Sequence, residues 1–159
     1  PGANTILDQF SWEPSDMENV MVNINEGLEA EKAAEKWIEE NPDKVAKWTK
    51  GAPSGNGEEI KIVYVAWDSE IASTYVIAKV LQQQGYDVTL RQVEVGPMFA
   101  GIANASADAM VGAWLPSTHV EYYETYKDDF VDLGANLQGT RNGLVVPKYV
   151  EIDSIEDLK

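Results

Sequence analysis

Trp67, Trp114 and His119 are the side chains of this sequence best suited to bind a ligand together. Each tryptophan closes an apolar run and is followed by a polar turn. The runs are Val63-Tyr64-Val65-Ala66-Trp67-Asp68-Ser69-Glu70 and Gly112-Ala113-Trp114-Leu115-Pro116-Ser117-Thr118-His119. Each reads as a buried strand that ends on an indole and then turns toward a helix. Open parallel sheets bind ligands beyond the carboxyl ends of their strands, where the strand order reverses. With these two as first and third strands in a 2-1-3 order, both indoles flank that crevice. Two tryptophan faces suit a cation that cannot donate hydrogen bonds. One imidazole beside them could hold the anionic end of the same ligand. A lone tryptophan at a strand end is more often packed than ligating, but two at equivalent ends are less easily dismissed. His119 by itself reads equally well as a helix-surface residue or a ligand contact.

The elements that must position these residues are legible in outline. Residues 1–10 end as the tail of a helix, in Ile6-Leu7-Asp8-Gln9-Phe10. Ser15-Asp16-Met17-Glu18 has the form of a capping box, followed by Met17, Val20, Met21 and Ile24 at helical spacing. Gly27 is the expected stop. Ala30, Ala33, Ala34, Trp37 and Ile38 form the apolar stripe of a further helix, and Asn41-Pro42 opens a short one after it. Trp12, Trp37 and Trp48 are most simply packing residues. Residues 51–59 are the one linker-like stretch. The helical segment 1–50 is too small to bury its own faces, so it should pack on the sheet that follows. Strands are expected over residues 60–66, 88–95 and 108–114, with short ones at 130–133 and 142–147. Helices are expected over 69–84, 97–105 and 116–126, with another capped start at 154–157. The β-α-β-α-β alternation of the 60–159 core argues an α/β fold, a doubly wound, mostly parallel sheet of about five strands with helices on both faces.

Composition narrows the function classes. The chain has 159 residues, enough for one domain with a real core. Lys plus Arg is 12 and Asp plus Glu is 27, a net charge of −15 that repels nucleic acid and anionic membrane surfaces. Most of those acids simply solvate helix faces. With no cysteine and one histidine, disulfides are excluded and a zinc site would need mostly carboxylates. No metal or cofactor is expected. The longest apolar runs fall far short of the ~20 residues of a membrane span, and no signal peptide pattern is present. Enzyme readings are weak. No Gly-x-Ser-x-Gly elbow exists, and the glycines at 51–57 lack a Gly-Lys-Ser/Thr ending and precede the first strand. A phosphoacceptor receiver domain would want an aspartate at the carboxyl end of the third strand, where Trp114 stands.

The motifs Val65-Ala66-Trp67-Asp68-Ser69-Glu70-Ile71-Ala72-Ser73-Thr74, Val95-Gly96-Pro97-Met98, Ala113-Trp114-Leu115-Pro116-Ser117-Thr118-His119 and Gly143-Leu144-Val145-Val146-Pro147 closely resemble OpuAC-type substrate-binding proteins. Ile6-Leu7-Asp8-Gln9-Phe10-Ser11-Trp12 and Trp37-Ile38-Glu39-Glu40-Asn41-Pro42 extend the resemblance over nearly the whole chain. Such proteins serve ABC importers for glycine betaine and proline betaine, in a periplasmic-binding-protein-like (type II) fold of two lobes that close on the ligand. The resemblance implies that Trp67 and Trp114 are two walls of a three-tryptophan prism around the quaternary ammonium. It implies that His119 contacts the carboxylate. The family's second lobe supplies a Gly-rich turn and a Gly-Trp motif, and neither is present here. The segment order resembles the circularly permuted branch, of which residues 1–159 would be the single carboxyl-terminal lobe. Its expected partners are the missing second lobe and ABC permease subunits. Its expected location is extracytoplasmic, membrane-associated through a lipid anchor or permease fusion. A competing expectation is that the exposed crevice is a docking surface, through which the lobe forms a homodimer or binds its missing half without useful ligand affinity.

Overall fold

The computed structural model of the chain describes residues 2–141 and 143–157. Four helices come first: α1 (Gly2–Gln9), α2 (Pro14–Asn25), α3 (Ala30–Glu40) and α4 (Pro42–Thr49). There follow β1 (Glu59–Tyr64), α5 (Asp68–Gln83), β2 (Asp87–Gln92), α6 (Val95–Ala103) and α7 (Val120–Tyr126), then a short 3-10 turn at Ile155–Asp157. The start of α2 differs from the expected Ser15–Glu18 capping box. Pro14 takes the first helical position, where its missing N–H costs nothing, so Glu13 is the cap. Asp16 then accepts the Glu13 backbone N–H at 2.9 Å. Gly27 and Gly85 end their helices with φ of 102° and 88°, the left-handed conformation that favours glycine.

Strands β1 and β2 run parallel, in register from Glu59 opposite Asp87 to Tyr64 opposite Gln92. On its other edge β1 forms one parallel bridge, Ile62 to Ala109, in which the Val63 N–H donates to the Ala109 carbonyl at 3.0 Å. β1 therefore lies between β2 and the 108–110 segment, which is the 2-1-3 order. Its near-continuous apolar sequence fits burial on both faces. Ile60 and Ile62 enter the main core with α5, while Val63 and Val65 enter a second core with Met98 and Phe99 of α6 and Tyr123 and Tyr126 of α7. The alternation is the period of two of a pleated strand.

α5 is buried almost all round. It contacts β1 and β2 on one side and α1, α2 and α3 on the other. The helical segment thus packs chiefly on α5 and reaches the sheet through it. Its centre is aromatic: Trp37 stacks on Trp48 at 5.5 Å, and Trp12 and Phe10 meet them edge-on, at 5.5 and 4.9 Å. The glycine-rich stretch before β1 is no free linker. A Cβ at Gly55 would lie 2.6 Å from the Tyr86 ring. The Gly55 and Gly57 N–H groups donate to the carbonyls of Gln84 and Gly85 at 2.9 and 2.7 Å. Gly55 serves this close approach, whereas Gly57, at φ 81° with open space where a Cβ would be, serves a left-handed turn.

The expected sheet of about five strands is not seen: among the described residues there are two strands and the Ala109 bridge. Residues 110–114 continue without a ladder, and 130–133 and 143–147 form no strand, while Asn142 lies outside the described residues. Val131, Leu144 and Val145 are 80%, 72% and 96% exposed. An apolar run becomes a strand only beside a partner that takes its backbone hydrogen bonds, and none lies beside these runs among the described residues. Residues 136 and 137 tie back instead to Trp12, whose N–H donates to the Asn136 carbonyl at 3.0 Å. α7 is shorter than expected because residues 115–119 form a turn, in which the Leu115–Pro116 peptide is cis.

Candidate functional site

Trp67 caps α5 immediately beyond β1, with extended backbone and 39% exposure. Its indole stacks on the His119 imidazole, with ring centroids 5.3 Å apart and planes 22° from parallel. His119 is buried at 1% exposure, and Phe99 of α6 meets it edge-on at 5.6 Å. His119 also closes the turn that follows the third segment. Its Nδ1 accepts the Trp114 backbone N–H at 3.0 Å, and its own N–H donates to the Trp114 carbonyl at 3.0 Å. One imidazole therefore touches both candidate residues, Trp67 by its ring and Trp114 by its edge. Trp114 itself is half-buried against the main core.

The protonation state of His119 follows from this geometry. Burial lowers its pKa, so the ring is neutral. With Nδ1 accepting, the proton of a neutral imidazole sits on Nε2. Nε2 is buried with no hydrogen-bond partner among the described residues. It is a donor aimed at nothing, at the junction of the two tryptophan turns.

Two residues that the sequence reading passed over belong to the same neighbourhood. Phe99 supplies the far wall of the imidazole and stacks on Tyr122 at 5.6 Å. Glu70, three residues after Trp67, is 1% exposed. Its Oε2 accepts the Val65 N–H at 2.9 Å, while Oε1 is buried without a partner among the described residues. Burial pushes its carboxyl up to about 7, against the lowering effect of the Val65 hydrogen bond. Nothing in the sequence separated Glu70 from Asp68 in the same first turn, where a glutamate is ordinarily a solvated complement to the helix dipole.

A cavity of about 690 Å³ lies between the 108–115 segment and residues 129–137. Glu70, Ser73, Val111 and Trp114 line it, whereas Trp67 and His119 do not. It adjoins the unpaired edge of the third segment, and of the three candidate residues only Trp114 lines it, so the two indoles do not share this opening. Among the described residues no group of three or more His, Asp or Glu is placed to hold a metal ion. No helix among them is long and apolar enough to cross a membrane.

Comparison with known proteins places the chain in a family. The profile described as the substrate binding domain of ABC-type glycine betaine transport systems, OpuAC, matches residues 58–159. The glycine betaine/carnitine transport binding protein GbuC of Listeria monocytogenes is 55% identical over 160 residues, covering 100% of this chain and 53% of that protein. The chain thus spans about half the length of this curated relative. Among solved structures, lactococcal OpuAC in its closed form complexed with glycine betaine aligns with a TM-score of 0.60 at 39% identity, over 63% of this chain and 39% of that one. The glycine betaine, L-proline binding protein ProX of Borrelia burgdorferi aligns with a TM-score of 0.59 at 42% identity, over 64% of this chain and 38% of that one. The α/β fold with its parallel pair is the substrate-binding-protein fold of these neighbours. From the match over residues 58–159, the chain belongs to the OpuAC family of substrate-binding domains of ABC-type glycine betaine transport systems.

Proposed function

We propose that residues 1–159 form one ligand-binding lobe of an ABC importer's binding protein for glycine betaine and related quaternary ammonium compounds. Within it, residues 1–50 are the helical segment, 51–59 the connecting stretch and 60–159 the α/β core. The observation that carries the reading is the joint engagement of Trp67 and Trp114 by a buried His119 with a free Nε2–H. A trimethylammonium group offers no hydrogen bond, so only charge and dispersion hold it, and an indole face supplies both. The carboxylate at the other end of a betaine is an acceptor for the Nε2–H. Because His119 is 1% exposed, side chains over the imidazole must shift before that carboxylate arrives. Ligand binding and indole rearrangement are therefore coupled. The chemistry is capture and release, with no bond made or broken.

A second lobe, supplied by the remaining half of the protein, would close over the ligand, and the closed form would be presented to permease subunits on the extracytoplasmic side. Each indole face contributes ~0.5–1 kcal/mol when exposed and ~2 or more when desolvated. Two walls give ~1–4 kcal/mol, against the ~4 kcal/mol that millimolar binding needs. This chain alone binds betaine in the millimolar range or more weakly. Titration of glycine betaine into chain labelled at its indole N–H groups tests this. Trp67 and Trp114 signals should shift in fast exchange and saturate only at millimolar ligand. Trp12, Trp37 and Trp48 should stay still, and Trp67→Ala should abolish the response. A submillimolar dissociation constant would overturn the two-wall arithmetic, and silent Trp67 and Trp114 signals well above millimolar ligand would overturn the half-cage.

A further inference from the structure

We propose that Glu70 is a positioning residue that holds the Trp67 and Trp114 turns at a fixed separation. The carboxyl reaches both segments at equivalent places. Its Oε2 accepts the N–H of Val65, two residues before Trp67. Its Cγ and Cδ lie against Gly112, two residues before Trp114, so closely that a Cβ there would come within 2.5 Å of each. Val65 has left the β1 ladder, and Gly112 has no ladder at all, so neither strand end is held by sheet pairing. The Glu70 side chain fills the gap between them. A polar side chain at 1% exposure with one oxygen unpartnered is expensive to keep, and an apolar residue of the same size would bury there at no such cost. What an apolar residue would lack is the acceptor for the Val65 N–H. The contacts that carry this role are to backbone, the Val65 N–H and the Gly112 Cα, so Glu70 acts through the main chain that carries each tryptophan.

The consequence for binding rests on the quaternary ammonium reading above, whereas the placement of the indoles does not. The test separates the two. In indole-labelled chain, Glu70→Ala should displace the Trp67 and Trp114 N–H signals and leave Trp12, Trp37 and Trp48 at their wild-type positions. Glu70→Gln, which keeps the shape and an acceptor oxygen, should leave all five in place. Should Glu70→Ala fail to fold, Glu70→Asp, one methylene shorter, is read in the same way. If the wild-type chain binds glycine betaine, the dissociation constant should rise about tenfold in the shortened variant, the equivalent of one lost indole wall, and return in Glu70→Gln. Movement of all five signals in a folded variant would make Glu70 an ordinary core residue and overturn the proposal. So would stillness of Trp67 and Trp114, or their displacement by glutamine. Displaced indoles in a chain whose wild type binds no betaine would uphold the positioning and refute the ligand reading alone.

Discussion

Stability of this chain should fall as pH rises through neutrality, because of Glu70. In the folded state its carboxyl holds the proton up to about pH 7, against an ordinary value of 4.5. The largest cause is burial, which disfavours the charged form. Between those two pH values the folded chain keeps a proton that the unfolded chain has released. Stability is therefore fully present below about pH 4.5 and is lost as pH rises through about 7. A displacement of roughly 2.5 units at 1.36 kcal/mol each amounts to about 3 kcal/mol. Glu70→Gln has no such proton, so the perturbation is that substitution and the assay is urea unfolding at several pH values. The difference in stability between wild type and variant cancels the other titrating groups. It should shift against the wild type by about 3 kcal/mol between pH 4 and pH 8, a large change beside the 5–15 kcal/mol of a typical domain. A difference that stays flat, or that moves in favour of the wild type as pH rises, would refute the argument that Glu70 is held in a water-excluded site.

His119 should act in the opposite direction: its pKa is lowered by burial, so the unfolded chain takes up the proton first and stability falls as pH drops below about 6.5. Unfolding curves of wild type and His119→Gln at acid and neutral pH should therefore converge or cross on acidification, and parallel curves would refute it. Asp16 is buried, accepts the Glu13 N–H and pairs with Lys44, so Asp16→Ala should cost about 1–2 kcal/mol by urea unfolding. The same loss from Ser15→Ala and none from Asp16→Ala would place the helix start where the sequence pattern first suggested.

Features under local chemical control were readable from the residues alone. The helical stripe of Ala33, Ala34, Trp37 and Ile38 needs only its spacing, and the apolar run before Trp67 needs only its continuity. The glycines that end α2 and α5 follow from one dihedral angle each. The two apolar runs and the turns after them singled out Trp67, Trp114 and His119, and the structure joins these residues through the His119 ring and its Nδ1. The tertiary structure decided what depends on a neighbour distant in the chain. Strand formation at 108–114 and 130–133 could not be read from apolar runs, since pairing is supplied by another segment. The burial of His119 and Glu70 could not be read either. A histidine and a first-turn glutamate are ordinarily surface residues. Only the packing of α6 against the Trp114 turn, and of α5 beneath Gly112, removes them from water. That removal leaves an imidazole N–H and a carboxyl oxygen without partners, and it is the physical origin of the chemistry assigned to this site.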